Sequence, residues 1–375
     1  MENVMTNNLS VPIVIPSYEP DDRLITLLNE LDSKGMGPVV IVNDGSGEEY
    51  DPIFKEAEAI IKKLGGVFIS YRPNQGKGHA LKTAFAYIKD NMPEAIGCVT
   101  ADSDGQHSPA CIASLIDALK ENRDSLILGV RKFNKKEIPW KSWAGNNITI
   151  KVFSYVSGLK VSDTQTGLRG IPRKFMIELI DCKGERFEYE IQMLLECAGK
   201  YDLVEIPIET IYDSKENHQT HFNPWKDSVR IYKILLKKFF KYIFASVTSF
   251  IIDILLFTLL THLFEANFPD TYIIISTVGA RVVSATYNYL INYFVVFKSH
   301  ASKRVALAKY ALVAITQMAL SAGIVTLIMR LFPNAIETIV KVIVDMILFF
   351  VVYSVQQRLV FGTSKKSHVT TSSKE

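Results

Sequence analysis

The feature that most constrains this chain is a change of character near residue 241. Up to about Lys241 the sequence mixes charged, polar and apolar residues, as a soluble α/β protein does. Beyond it, four long apolar runs reach or exceed the roughly 20 residues that cross the hydrocarbon core of a bilayer. These runs cover residues 242–264, 272–297, 305–332 and 336–361. The sequence therefore predicts a soluble domain followed by an all-α membrane domain of four spans.

Basic residues beside the apolar runs predict the orientation of the chain. They lie before the first run (Lys233, Lys237, Lys238, Lys241), between the second and third (Lys298, Lys303, Arg304), and at the end (Arg358, Lys365, Lys366). Segments rich in lysine and arginine beside membrane spans are typically cytoplasmic. Four spans return the chain to its starting side, so we expect an integral protein of the cell membrane with a cytoplasmic soluble domain and both termini cytoplasmic.

Composition excludes several other classes of protein. A formal net charge of +3 without a basic arm gives no support for nucleic-acid binding. The four cysteines include no C-x-x-C pair, which leaves a zinc site or a disulfide framework without support. The first residues contain only the short apolar run Val11–Pro16, which is not a secretory signal peptide.

The soluble half shows a rhythm of strands and helices. Short β-branched runs are each followed by turn residues and then by a helical pattern, such as the stripe Leu24, Leu27, Leu28, Leu31. The runs are Val11–Ile15, Val39–Val42, Val67–Tyr71, Ile96–Ala101 and Leu126–Val130. This alternation predicts an α/β fold with a mostly parallel sheet covered by helices.

Polar residues follow several of these strands, where α/β sheets bind ligands. Asp102 and Asp104 follow the fourth strand, and with Gln106 they supply the oxygen ligands that Mg²⁺ or Mn²⁺ prefers. The turn around Asp44 ends the second strand either as a simple Asx turn or as a ligand contact. Lys77, between two glycines at the start of a helix, suits close approach to an anion but lacks the P-loop spacing.

Several motifs together resemble the family 2 glycosyltransferases, and most closely those that act on polyprenyl phosphates, such as dolichyl-phosphate mannose synthases. The apolar region 242–361 resembles the GtrA-like four-helix membrane domain often fused to such enzymes. The motifs are Pro16-Ser17-Tyr18, Asp44, Asn74-Gln75-Gly76-Lys77-Gly78, Asp102-Ser103-Asp104-Gly105-Gln106-His107 and Asp163-Thr164-Gln165-Thr166-Gly167-Leu168-Arg169.

The resemblance implies a GT-A fold and a metal-dependent hexosyltransferase that serves cell-envelope glycosylation, such as cell wall polysaccharide biosynthesis. It implies inverting transfer of one sugar from a nucleotide-sugar, with UDP-glucose or UDP-N-acetylglucosamine as the expected donor. The acceptor it implies is undecaprenyl phosphate or a related polyprenyl phosphate. An anionic phosphate needs no general base, which agrees with the lack of an evident Ser-His-Asp or Cys-His set.

The resemblance also implies roles for individual residues. Asp44 is expected to contact the nucleotide base, and Pro16 and Tyr18 belong to the same donor site. Asp102, Asp104 and Gln106 are expected to manage the metal and the diphosphate, with Asp104, Arg131 and Arg169 at the catalytic centre and the two arginines on phosphate or sugar groups.

Two further assignments stay open at this stage. Glu188 and Glu190, near the start of a predicted helix, either orient donor hydroxyls or cap the helix. Lys141 is either a partner of the acceptor phosphate or a solvated loop lysine.

The predicted domain boundaries are 1–220 for the transferase, 221–241 for an interfacial amphipathic linker, 242–361 for the membrane domain and 362–375 for a polar tail.

Alternatives to single transfer are a processive polysaccharide synthase, whose usual Q-x-x-R-W element is absent, and a lipid-sugar flippase or scaffold with a regulatory soluble half. Whether the protein forms a homo-oligomer stays open.

Several polar residues fall within the predicted spans. They include Asp253, Arg281 and Asp345, and charges in such positions usually pair. Asn288 and Asn292 serve either helix packing or headgroup recognition.

Overall fold

A computed structural model of the chain describes residues 10–131, 140–209, 224–297, 299, 301–362 and 369–371. The chain divides into two compact units, Met1–Ile234 with Lys366–Glu375 and Leu235–Lys365. The division falls inside one long helix, whose first part covers the described end of the predicted linker.

The first unit is built on one eight-stranded sheet with strand order β3-β2-β1-β4-β6-β5-β7-β8. All neighbours pair in parallel except β6, which is antiparallel to both β4 and β5. The strands are β1 Ile13–Ser17, β2 Val39–Asp44, β3 Val67–Tyr71, β4 Gly97–Thr100, β5 Ser125–Arg131, β6 Arg169–Pro172, β7 Asp202–Ile208 and β8 Val369–Thr371. The predicted α/β fold with a mostly parallel sheet is confirmed.

Helices cover the sheet because alternate strand residues point to opposite faces. Ile13 and Ile15 of β1 pack into a buried core with α1, α2 and α4, while α3 lies against β1 and β2 and contacts α6 and α7. The helices are α1 Asp22–Ser33, α2 Asp51–Lys63, α3 Lys77–Asn91, α4 Pro109–Glu121, α5 Trp140–Ser157, α6 Arg173–Ile180 and α7 Glu188–Cys197, with a 3-10 turn at Glu48–Tyr50.

Local sequence explains how these helices begin. The four leucines of the predicted stripe in α1 are at most 3% exposed, and the side chain of Asp21 accepts a hydrogen bond from the backbone N–H of Arg23 at its N-terminus. Ser108 caps α4 in the same way, with Pro109 at its first position. Helix α1 follows β1 and α4 follows β4, so both helices begin near the edge of the sheet where these parallel strands end.

The second unit consists of long apolar helices. They are α8 Pro224–Phe264, α9 Tyr272–Ile291, α10 Lys303–Leu331 and α11 Glu337–Val355, with π-helical turns at Asn292–Val296 and Gln356–Val360. Among the described residues, three segments are long and apolar enough to cross a membrane: Ser228–Phe264, Lys303–Leu331 and Ile339–Val360. Helix α9, whose apolar sequence is interrupted by Arg281 and Asn288, is not among them, and its crossing stays a prediction.

Polar side chains inside this unit bond to one another. Arg281 pairs with Asp253 at 3.3 Å, whereas Asp345 pairs with Lys341 of its own helix at 2.8 Å. Asn292 donates to the side-chain oxygen of Asn288 at 2.6 Å, and Tyr310 of α10 donates to the same oxygen at 3.0 Å. Asn288 therefore joins α9 to α10, in keeping with a packing role.

Candidate active site

The polar loops meet at the edge of the sheet where the parallel strands end. Asp44 is the last residue of β2, Arg131 the last of β5, and the loop that holds Asp102 follows β4. Arg169 begins the antiparallel strand β6 and so lies at the same edge. The fold brings residues from distant parts of the sequence to one place, as open α/β sheets do.

Asp44 organises the loop that leads into α3. Its buried carboxylate accepts hydrogen bonds from the Tyr71 hydroxyl at 2.8 Å, the Asn74 side-chain amide at 2.9 Å and the backbone N–H groups of Gln75 at 3.0 Å and Gly76 at 2.9 Å. Burial, followed by the bond to Asp44, raises the pKa of Tyr71 above its ordinary value. Asp44 therefore fixes the position of the loop immediately before Lys77, and its contact with a nucleotide base stays a prediction.

Lys77 joins the two acidic parts of the site. Its Nζ lies 2.6 Å from Asp102 Oδ1 and 2.7 Å from Glu190 Oε1. The side chains are 17%, 27% and 11% exposed, respectively, so these charges interact in a partly desolvated environment. The interaction links the start of α3, the loop after β4 and the first turn of α7.

The charges of this cluster shift the pKa values of its members. Burial alone would lower the pKa of Lys77, but the charges of Asp102 and Glu190 outweigh it and raise that pKa. Burial would likewise raise the pKa of Asp102, yet Lys77 and then His107 bring it well below its usual range. Asp104 behaves differently, because burial and the charge of Asp102 both raise its pKa. Negative charge at Asp104 is therefore incompletely compensated by the protein.

This incomplete compensation fits a divalent cation. Asp104 Oδ1 accepts one hydrogen bond, from the backbone N–H of Gln106 at 3.1 Å, and the loop lies at the strand edge where a ligand would approach. Within the described residues, no three His, Cys, Asp or Glu side chains form a cluster that would hold a metal by themselves. Two carboxylates with an amide oxygen suit a hard cation that keeps further oxygen ligands from a diphosphate or water.

The two predicted arginines bond within the chain. Arg131 donates to both carboxylate oxygens of the fully buried Asp163, at 2.7 and 3.1 Å. Arg169 is 1% exposed and donates to the backbone carbonyls of Thr166 at 2.9 Å and Glu190 at 2.7 Å. Both arginines thus shape the loop between α5 and β6, and their contacts with phosphate or sugar groups stay predictions.

The remaining predicted residues have varied surroundings. Glu188 Oε1 accepts hydrogen bonds from the backbone N–H groups of Glu185 at 3.3 Å and Arg186 at 3.4 Å, in the turn before α7, and both of its alternative roles stay predictions. Pro16 is buried in β1, and Tyr18 beyond it is half-buried, its pKa raised chiefly by a hydrogen bond with Glu19. Lys141 lies in α5, but its side chain is outside the described residues.

Comparison with protein families decides the identity of both parts of the chain. Residues 13–180 match the model of glycosyl transferase family 2, and residues 241–361 match the GtrA/DPMS transmembrane domain. The chain contains a glycosyl transferase family 2 domain followed by a GtrA/DPMS transmembrane domain. The resemblance inferred from the sequence motifs is confirmed.

Curated relatives of this glycosyltransferase carry consistent names. A UDP-N-acetylglucosamine–dolichyl-phosphate N-acetylglucosaminyltransferase of Methanococcus voltae is 28% identical over 219 residues, which cover 53% of this chain and 85% of that protein. A dolichyl-phosphate hexose transferase of Haloferax volcanii is 25% identical over 228 residues, covering 60% and 92%. A dolichol-phosphate mannosyltransferase of Pyrococcus furiosus is 24% identical over 239 residues, covering 60% and 64%.

Several supporting residues of the glycosyltransferase were not predicted from the sequence. Glu185 pairs with Lys82 at 2.7 Å and with His79 at 3.2 Å, and so ties α3 to the start of α7. The buried Glu205 accepts hydrogen bonds from the backbone N–H of Ser162 at 2.7 Å and from its hydroxyl at 2.6 Å, next to Asp163. In the sequence, Glu205 stands out only as a charged residue within the otherwise apolar pattern of β7.

Gly167 provides the space for the Asp102 carboxylate. A Cβ at position 167 would lie 2.2 Å from Asp102 Oδ2, so Gly167→Ala must push the carboxylate away. Because a side-chain end can move at low cost, we expect thermal stability to change little while transfer falls by roughly tenfold or more. Transfer and melting of Gly167→Ala should be compared with Gly323→Ala, whose Cβ meets nothing within 4 Å. Equal activity of the two variants would show that the position of Asp102 does not matter.

Proposed function

We propose that this glycosyltransferase moves one sugar from a nucleotide-sugar to a polyprenyl phosphate. The observation that carries the proposal is the cluster of Lys77, Asp102, Asp104 and Glu190 at the strand edge of a chain that also contains a membrane domain. The cluster offers charges of both signs for a diphosphate with its cation, and the membrane domain anchors the chain in the membrane that contains a lipid acceptor. Relatives named for transfer to dolichyl phosphate support the same acceptor class.

We propose that the donor diphosphate binds with Mg²⁺ or Mn²⁺ held by Asp102, Asp104 and Gln106. Such a cation, when bound, neutralises charge that develops on the leaving nucleotide diphosphate. Lys77 supports the same negative charge from the first turn of α3, where backbone N–H groups also favour an anion. Arg131 and Arg169 keep the loop from Asp163 in place, which orients the groups around the sugar.

The acceptor itself supplies the nucleophile in this proposal. A phosphate monoester is anionic at neutral pH, so its oxygen attacks the anomeric carbon without a base, and the bond from that carbon to the diphosphate oxygen breaks with inversion. The histidines near the site have other partners: His107 Nε2 lies 3.6 Å from Asp102 Oδ2, and His79 pairs with Glu185. Positioning and charge stabilisation therefore dominate the expected rate enhancement.

For the donor we propose UDP-glucose or UDP-N-acetylglucosamine, and for the acceptor undecaprenyl phosphate or a dolichyl equivalent. The purified protein should be incubated with each of a panel of labelled nucleotide-sugars, Mn²⁺ and the lipid phosphate, with transfer into the organic phase as the readout. One UDP-sugar is expected to give lipid-bound label that requires the acceptor. Label in no lipid product from any donor would contradict the proposal.

We propose that transfer takes place at the cytoplasmic face of the cell membrane. Lys303 and Arg304 lie near the start of α10, whereas Pro269 lies in the short connection between α8 and α9. In intact cells we expect an impermeant maleimide to label Pro269→Cys and not Ser302→Cys, because cytoplasmic positions are protected. After permeabilisation both should react. Labelling of position 302 but not 269 from outside would reverse the orientation.

A further inference from the structure

Lys77 occupies the carboxylate that a catalytic cation would need. Its Nζ is 2.6 Å from Asp102 Oδ1, a charge-assisted contact at the short end of the normal range. Glu190 Oε1 lies 2.7 Å from the same ammonium. Two negative charges therefore keep Lys77 where one ligand of the cation is expected.

The other oxygen of Asp102 also has close neighbours. His107 Nε2 lies 3.6 Å from Oδ2, and the side chain of His107 is only 4% exposed. On the other side the carboxylate fills the space that the missing side chain of Gly167 leaves, because a Cβ there would lie 2.2 Å from Oδ2. A cation that binds Asp102 therefore meets the ammonium of Lys77 at close range.

The backbone holds Lys77 in this position. The carbonyl of Glu185 accepts the backbone N–H of His79 at 3.0 Å, and its carboxylate pairs with Lys82 at 2.7 Å. Gly76 and Gly78 allow this approach, since a Cβ on either would lie 2.4 and 2.7 Å from atoms of the segment Glu185–Tyr189. The side chain of Lys77, in contrast, has a flexible stem that can move its ammonium by several ångström.

We propose that Lys77 is an internal counter-ion that competes with the divalent cation for Asp102 until the nucleotide diphosphate binds. Without nucleotide, Lys77 opposes the cation; with nucleotide, its ammonium moves from Asp102 to the diphosphate, and the carboxylate is released to the metal. Nucleotide and cation then each strengthen the binding of the other. The inference rests on the proposed function for the nature of the ligand, but it assigns Lys77 a role before any sugar is transferred.

The test is a titration of the purified full-length protein with Mn²⁺ alone, followed by the electron paramagnetic resonance signal of the free ion. Lys77→Gln is expected to lower the Mn²⁺ dissociation constant roughly tenfold, because it removes a cation in contact with the metal ligand. Lys77→Arg keeps the charge and should resemble the unaltered protein. Lys89→Gln removes the same charge from α3 about twelve residues, or roughly 18 Å, further along the helix and should leave the constant unchanged.

Glu190→Gln provides an independent variant if Lys77→Gln does not fold. Without Glu190, Lys77 pairs with Asp102 alone, so Mn²⁺ binding should weaken. Adding UDP should tighten Mn²⁺ binding more in the unaltered protein than in Lys77→Gln. Unchanged or weaker Mn²⁺ binding in Lys77→Gln, or unchanged or tighter binding in Glu190→Gln, would overturn the proposal. The Mn²⁺ titration needs neither donor nor lipid, so its result can be distinguished from a failure of the proposed transfer reaction.

Discussion

Asp104→Asn is expected to abolish sugar transfer while the protein remains folded and inserted in the membrane. Burial, and next the charge of Asp102, raise the pKa of Asp104, so the protein itself does not fully balance the charge of this carboxylate. Removing that charge takes away a ligand of the cation that offsets the leaving diphosphate, which should lower kcat by roughly a thousandfold. Turnover should be measured over a titration of Mg²⁺ and of Mn²⁺.

The thermal stability of Asp104→Asn distinguishes a loss of catalysis from a loss of folding. Since the folded state disfavours ionised Asp104, its neutral replacement should unfold at the same temperature or a slightly higher one. Asp117→Asn, an exposed position on α4, is the matched control and should keep full activity. Near-normal turnover of Asp104→Asn at any metal concentration would show that this carboxylate does not serve the cation.

Asp44→Asn should cause the second largest effect, on both stability and donor use. Four donors converge on the Asp44 carboxylate, including two backbone N–H groups that precede Lys77. An asparagine side chain places an NH₂ group against some of these donors, which leaves buried groups unpaired at a cost of about 2–3 kcal/mol. The loop before Lys77 should loosen, and kcat/KM for the donor should fall by roughly a hundredfold.

Tyr71→Phe is the milder variant that is compared with Asp44→Asn. It removes one of the four donors and leaves the backbone bonds to Asp44 in place, so we expect a loss of about 1 kcal/mol in the free energy of unfolding and a several-fold rise in KM. Chemical denaturation and donor kinetics on both variants test this order. If Asp44→Asn proved no more damaging than Tyr71→Phe, Asp44 would not organise the loop.

The strand edge and its carboxylates could be predicted from the sequence because both depend on local pattern. β-branched runs followed by polar turns indicate parallel strands, and parallel strands place Asp44 and Asp102 at one edge whatever the details of packing. The pairing of Lys77 with Glu190 was not predictable in the same way. It joins residues more than a hundred positions apart, and only the packing of α3 against α7 brings them together.

The roles of charged residues were harder to predict than their presence. Arg131 bonds to Asp163 and Arg169 to backbone carbonyls, contacts that the sequence did not indicate, while their expected contacts with ligands stay predictions. Burial decides whether an arginine serves the protein or a ligand, and burial depends on tertiary packing. The predicted polar tail contains the strand Val369–Thr371. This strand was not predicted, because its partner β7 lies far away in the sequence and only tertiary packing brings the two together.

The most direct test of the central claim is analysis of the reaction products. The protein should be incubated with the active UDP-sugar, Mn²⁺ and polyprenyl phosphate, and the lipid extract examined by mass spectrometry and for anomeric configuration. We expect one sugar joined to the phosphate of the lipid, an inverted anomeric centre and release of UDP. Release of UMP, which indicates sugar-phosphate transfer, or a ladder of added sugars, which indicates processive synthesis, would contradict it.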